Sequence, residues 1–163
     1  MHRIVLDTNV LVGYFLGREP AATDCRRIID ACAEAPHVLY VSSHSMKDLS
    51  YLLGMSLKRM ERLEKGSVSP ASATAASRIS WACLKHVMEF AQVVPVGSDE
   101  CLEAFTYRSL HDDFEDDLLV ATARASKADF LVTEDAKLRA HAPIACLSAA
   151  DMAILLESEL ARR

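Results

Sequence analysis

A chain of 163 residues, 51% of them hydrophobic and with only five Gly and five Pro, can bury one core and lacks the composition of a disordered segment. Its formal net charge of -5 excludes a protein that grips duplex nucleic acid through a broad basic surface, so any such contact needs a local patch or a metal ion. Five scattered Cys without a C-x-x-C pair, no secretory leader before Asp7 and no run long enough to span a membrane predict packing thiols in a cytoplasmic protein.

Short apolar runs alternate with longer segments of helical period. Strands are expected at residues 4–6, 38–42, 93–96, 130–133 and 144–147, each continuously apolar, as in a strand covered on both faces. Helices are expected at 10–16, 21–34, 45–53, 71–92, 99–110, 116–127, 136–140 and 149–160. Ile79, Trp81, Leu84, Val87 and Met88 recur along one of them and predict a core or interface face. Gly, Ser and Pro crowd residues 64–77, which reads as a loop or mobile connection rather than a boundary. Strands alternating with helices predict parallel βαβ units in a single domain over residues 1–163.

Four acids stand at strand or helix ends. Asp7 closes Ile4-Val5-Leu6 and is followed by Thr8 and Asn9. It reads equally as a helix cap or as a metal ligand oriented by those neighbours. Asp116 lies in Asp113-Phe114-Glu115-Asp116-Asp117. Four carboxylates in five residues exceed what a cap or the helix dipole needs, and they repel unless a cation sits among them. Asp135 follows Phe130-Leu131-Val132 through Thr133-Glu134 and repeats the Asp7 arrangement, with a cap for the next helix as the alternative. Asp48 lies inside a helix and shares a face with Tyr51 and Leu52. Oxygen ligands from separate segments suit Mg²⁺ or Mn²⁺ and phosphodiester hydrolysis.

These blocks resemble a PIN domain: Val5-Leu6-Asp7-Thr8-Asn9-Val10-Leu11, then Ser42-Ser43-His44-Ser45-Met46-Lys47-Asp48-Leu49, then Asp113-Phe114-Glu115-Asp116-Asp117-Leu118 with Ala121-Thr122-Ala123, then Ala128-Asp129-Phe130-Leu131-Val132-Thr133-Glu134-Asp135. They fall in the family's order across nearly the whole chain. The resemblance implies an α/β fold, a three-layer α/β/α sandwich with a central parallel sheet. It implies an endoribonuclease dependent on Mg²⁺ or Mn²⁺. Asp7, Asp116 and Asp135 match the family's acidic ligands, and Asp48 matches a catalytic position usually held by Glu. The shorter side chain there draws the carboxylate back by about 1.5 Å. Thr8, Asn9 and Thr133 match polar positions around the site, while Glu115 and Asp117 are additional acids that can substitute or assist. The resemblance extends to toxins of VapC type, which implies an antitoxin protein as partner and a homodimer.

The competing reading is a non-catalytic PIN-like module that binds RNA or protein. An acid-rich phosphatase or phospho-receiver stands well behind. The phosphatase pattern wants Asp where Asn9 stands, and the receiver's acidic pair and Lys do not occur in order.

Overall fold

The computed structural model describes residues 1–162, with only the backbone of His111. Five parallel strands form one sheet in the order β3-β2-β1-β4-β5: β1 Arg3–Leu6, β2 Val38–Ser42, β3 Gln92–Val94, β4 Phe130–Val132 and β5 Cys146–Leu147. β1 and β4 pair with Leu6 opposite Val132, so their carboxyl ends finish side by side.

Alternation along each strand divides the core in two. Ile4, Leu6, Leu39, Val41 and Val132 face one layer, which holds α1 (Thr8–Phe15), α2 (Ala21–Glu34), α3 (Ser43–Lys65), α4 (Pro70–Phe90) and α9 (Ala149–Leu160). Val5 and Leu131 face the other layer, which holds α5 (Ser98–Ala104), a single 3-10 turn (Phe105–Tyr107), α6 (Arg108–His111), α7 (Phe114–Ala125) and α8 (Ala136–His141). This is the expected three-layer arrangement. Ile4, Leu6 and Leu131 are fully buried, each contributing roughly 1.5–3 kcal/mol. Truncating Leu6 to Ala would cost about 2–5 kcal/mol. α7 carries Ala121 and Ala123, both fully buried, and so lies close on the sheet.

Helices α2 and α9 keep their expected limits. The connection expected over residues 64–77 is instead four residues long, because its turn-forming residues are caps. Gly66 ends α3 in the left-handed region at φ 79°, Ser69 accepts from the Ser72 amide, and Pro70 opens α4. Trp81 is 70% exposed, so it is no core residue; of the expected apolar face only Val87 is buried. The five Cys are free thiols, and burial pushes the Cys25 thiol up to about 12. Among the described residues no helix is long and apolar enough to cross a membrane.

Candidate active site

With β2 and β3 on one side of β1, and β4 and β5 on the other, the chain changes direction between β1 and β4. A crevice opens outside the carboxyl ends of strands at such a point, and ligands bind there. Asp7 leaves β1 and Thr133 leaves β4 at this place.

Asp7 occupies the N-cap position of α1, yet its side chain makes no capping bond. Its Oδ2 accepts from Thr133 Oγ1 at 2.6 Å and from Asn9 Nδ2 at 2.6 Å. Asn9 Nδ2 also donates to Thr133 Oγ1, and Asn9 Oδ1 accepts from the Glu134 amide. The Asp7 carboxyl is therefore held from β4 and from its own helix. Burial raises its pKa from 3.8 to about 6, with repulsion from Asp116 in the same direction; the Thr133 bond and the amides of Asn9 and Thr8 pull it back.

Asp116 reaches the same cleft from the first turn of α7, where Asp113 is the N-cap and accepts from the Glu115 amide at 2.9 Å. Asp7, Thr8, Asn9, Asp113, Glu115 and Asp116 line a cleft of about 370 Å³. Arg18, Leu52 and Ser56 line it as well. Burial pushes the Glu115 carboxyl up, and Asp48, Asp113 and Asp116 push it further. The hydroxyl of Thr8 is buried in this cleft without a hydrogen-bond partner. A buried orphan hydroxyl is costly unless something in the cleft supplies its partner.

The structure sorts the expected residues. It gathers Asp7, Thr8, Asn9, Thr133, Glu115 and Asp116. Asp48 stands at the edge, near enough to Glu115 to raise its pKa, and it pairs with Lys47 Nζ at 2.8 Å. Asp135 is used differently. Its Oδ1 accepts from the amides of Lys137 at 2.7 Å and Leu138 at 3.0 Å, so it caps α8. Those amides, Leu138 first, hold its carboxyl below the usual range. Asp117 is buried on another side of α7, where it lines a separate hollow with Phe105 and Phe114.

Sequence reasoning missed Arg18, Ser56 and the cleft-lining role of Asp113. Ser56 lies eight residues after Asp48 on the same stripe of α3, and ending that helix at residue 53 concealed it. Arg18 is fixed by the end of α1. Gly17 takes φ 62°, its amide bonds Tyr14 O, and the Arg18 amide bonds Gly13 O at 2.9 Å.

Carboxylate and hydroxyl oxygens are the donor set of a hard divalent cation, and a desolvated Asp7 beside Asp116 fits one electrostatically. A family model described as PIN domain matches residues 3–137. The chain belongs to the PIN-domain family. Its PIN fold is similar to Mycobacterium tuberculosis VapC20, a sarcin-ricin loop cleaving toxin, at a TM-score of 0.61 and 17% identity over 84% of this chain and 93% of that one. It is equally similar, at 0.61 and 13% identity, to VapBC2 from Rickettsia felis bound to a promoter DNA fragment, over 90% of this chain and 98% of that one. A toxin-antitoxin complex from Klebsiella pneumoniae matches at 0.58 and 16% identity, over 90% and 97%. At these identities the likeness is one of fold. No curated protein matches the chain. In this PIN domain Asp7 at the end of β1 and Asp116 on α7 contribute the coupled carboxylates of the cleft.

Proposed function

We propose that this PIN domain is a metal-dependent endoribonuclease that hydrolyses RNA phosphodiester bonds. The observation that carries this reading is the pair Asp7 and Asp116. Asp7 is buried at the switch point, is hydrogen-bonded by Thr133 and Asn9, and is electrostatically coupled to Asp116 on another element. Among the described residues no basic side chain forms an ion pair with Asp7, so a cation is a natural partner for its charge.

Asp7, Asp116 and Glu115 would hold the ion, with Asp48 reaching it from the rim. Bound Mg²⁺ or Mn²⁺ would activate water and offset charge on the leaving phosphate oxygen. Thr133 and Asn9 keep Asp7 aimed into the cleft through hydrogen bonds to one of its oxygens. Thr8 offers its buried hydroxyl to a water or phosphate oxygen. Arg18 lines the same cleft and offers a positive charge to the RNA backbone. Asp135 contributes by fixing the turn after Thr133, whose Oγ1 accepts from the Asp135 amide.

The fold likeness to VapC toxins supports the toxin role of a toxin–antitoxin pair, with an antitoxin as partner. The exposed Trp81 and Met88 of α4 support a homodimer.

The test is incubation of the purified chain with mixed single-stranded RNA in Mg²⁺, in Mn²⁺ and in EDTA, beside Asp7→Asn and Asp116→Asn. Metal-dependent internal cleavage abolished by both substitutions is expected. A folded protein that binds RNA without cutting it in either metal would point to the non-catalytic module.

A further inference from the structure

Beside the acidic cleft lies a second hollow of about 370 Å³, and Asp113 lines both. Its walls include two phenylalanines. Phe105 comes from the 3-10 turn and Phe114 from the first turn of α7. Their rings lie 5.6 Å apart at 40°, yet Phe105 is 65% exposed and Phe114 49% exposed. The whole chain has five Phe, and two of them stand open together next to the cleft. Leaving such rings in water forgoes about 1.5–3 kcal/mol each, so the core does not explain them.

The helix geometry of α7 divides the two hollows. Asp113 and Asp116 are three residues apart and meet the acidic cleft; Phe114 and Asp117, also three apart, meet the aromatic one. A strand whose phosphate lies at Asp116 therefore has an adjoining aromatic surface around the same helix end. The polar groups there are of both kinds. Arg108, loosely paired to Asp112 at 3.5 Å and 80% exposed, supplies a flat cationic donor. The carboxylate of Asp113, on the wall shared with the acidic cleft, supplies an acceptor.

We infer that the hollow of Phe105, Phe114 and Arg108 is a stacking site for an unpaired RNA base flanking the scissile phosphate. This inference rests on the nuclease reading and names the part of the substrate it holds. Sequence-specific RNA recognition uses single-stranded bases stacked on aromatic rings or guanidinium planes, with hydrogen bonds to their edges. Continuity with the acidic cleft through Asp113 favours a base of that strand over an apolar side chain of a protein partner.

The experiment uses the full chain in EDTA, where metal-dependent cleavage is arrested. The probe is a set of single-stranded RNA 12-mers with 2-aminopurine at successive positions. Base stacking on an aromatic is worth about 1–3 kcal/mol, so the Phe105→Leu/Phe114→Leu chain should bind about 5- to 150-fold more weakly. The native chain should quench the 2-aminopurine strongly at one position, and the double variant should lose that quenching. If the double variant loses its fold, Phe105→Leu alone carries the comparison. Unchanged affinity and quenching in the variant overturn the stacking site while leaving cleavage in Mg²⁺ intact. Quenching lost in the variant, but no cleavage by the native chain in either metal, would uphold the stacking site and reject the nuclease. Absence of RNA binding, or variants that lose only a protein partner, overturns the inference.

Discussion

Thr133 donates from Oγ1 to Asp7 Oδ2 at 2.6 Å, joining the carboxyl ends of β4 and β1 through two buried side chains. The same hydroxyl accepts from Asn9 Nδ2 and from the Asp135 amide. One oxygen therefore ties together the first and last blocks of the PIN pattern, which lie more than a hundred residues apart.

Removing that hydroxyl tests its importance. Thr133→Val keeps the shape but leaves the Asp135 amide without this acceptor and reduces the side-chain donors on Asp7 Oδ2 to Asn9 Nδ2. A loss of about 1–3 kcal/mol is expected in denaturant unfolding. Divalent-ion affinity should also fall, because Asp7 is no longer aimed. Unchanged stability with unchanged affinity would show that the bond is incidental.

Asp7 predicts a pH dependence of stability. Its folded pKa of about 6 lies above the ordinary 3.8, so the folded state holds this proton more tightly than the unfolded chain does. The penalty is absent below pH 4, grows as pH rises through 6, and then stays constant. A shift of about two units corresponds to about 3 kcal/mol. In EDTA, Asp7→Asn should therefore melt above the native chain at pH 7.5 and alongside it at pH 3.5. An equal difference at both pH values would mean that Asp7 is not desolvated as described.

Asp135 separates capping from metal binding. Asn caps a helix as Asp does, whereas Ala costs about 1 kcal/mol. Asp135→Asn should keep the unfolding midpoint and Asp135→Ala should lower it. Both should weaken Mn²⁺ binding less than Asp116→Asn does. A loss of Mn²⁺ binding on Asp135→Asn equal to that of Asp116→Asn would return Asp135 to the ligand set.

Much of this site was legible in the sequence because its signals are local. Continuous apolar runs marked β1 and β4, and the acids directly after them marked the carboxyl edge. The density of acids before Leu118 exceeded what a cap requires, and Asp116 and Glu115 indeed enter the cleft. What local signals could not resolve was direction. Asp7 and Asp135 both follow a strand and both stand at N-cap positions, but only Asp135 uses its side chain as a cap. Asp116 and Asp117 are neighbours on α7 and line different hollows. Capping residues misled in the other direction. Gly66, Ser69 and Pro70 read as a long loop but close α3 and open α4 within four residues. Arg18 carried no sequence signal, because its place depends on how Gly17 ends α1.

The proposed nuclease requires that Asp7 and Asp116 together bind a divalent cation. Titration calorimetry with Mn²⁺ at pH 7.5 tests it most directly, on the native chain, Asp7→Asn and Asp116→Asn. Saturable binding by the native chain is expected, weakened at least tenfold by either substitution, with both variants folded. Binding of equal strength in all three proteins, or none in the native chain, would contradict it.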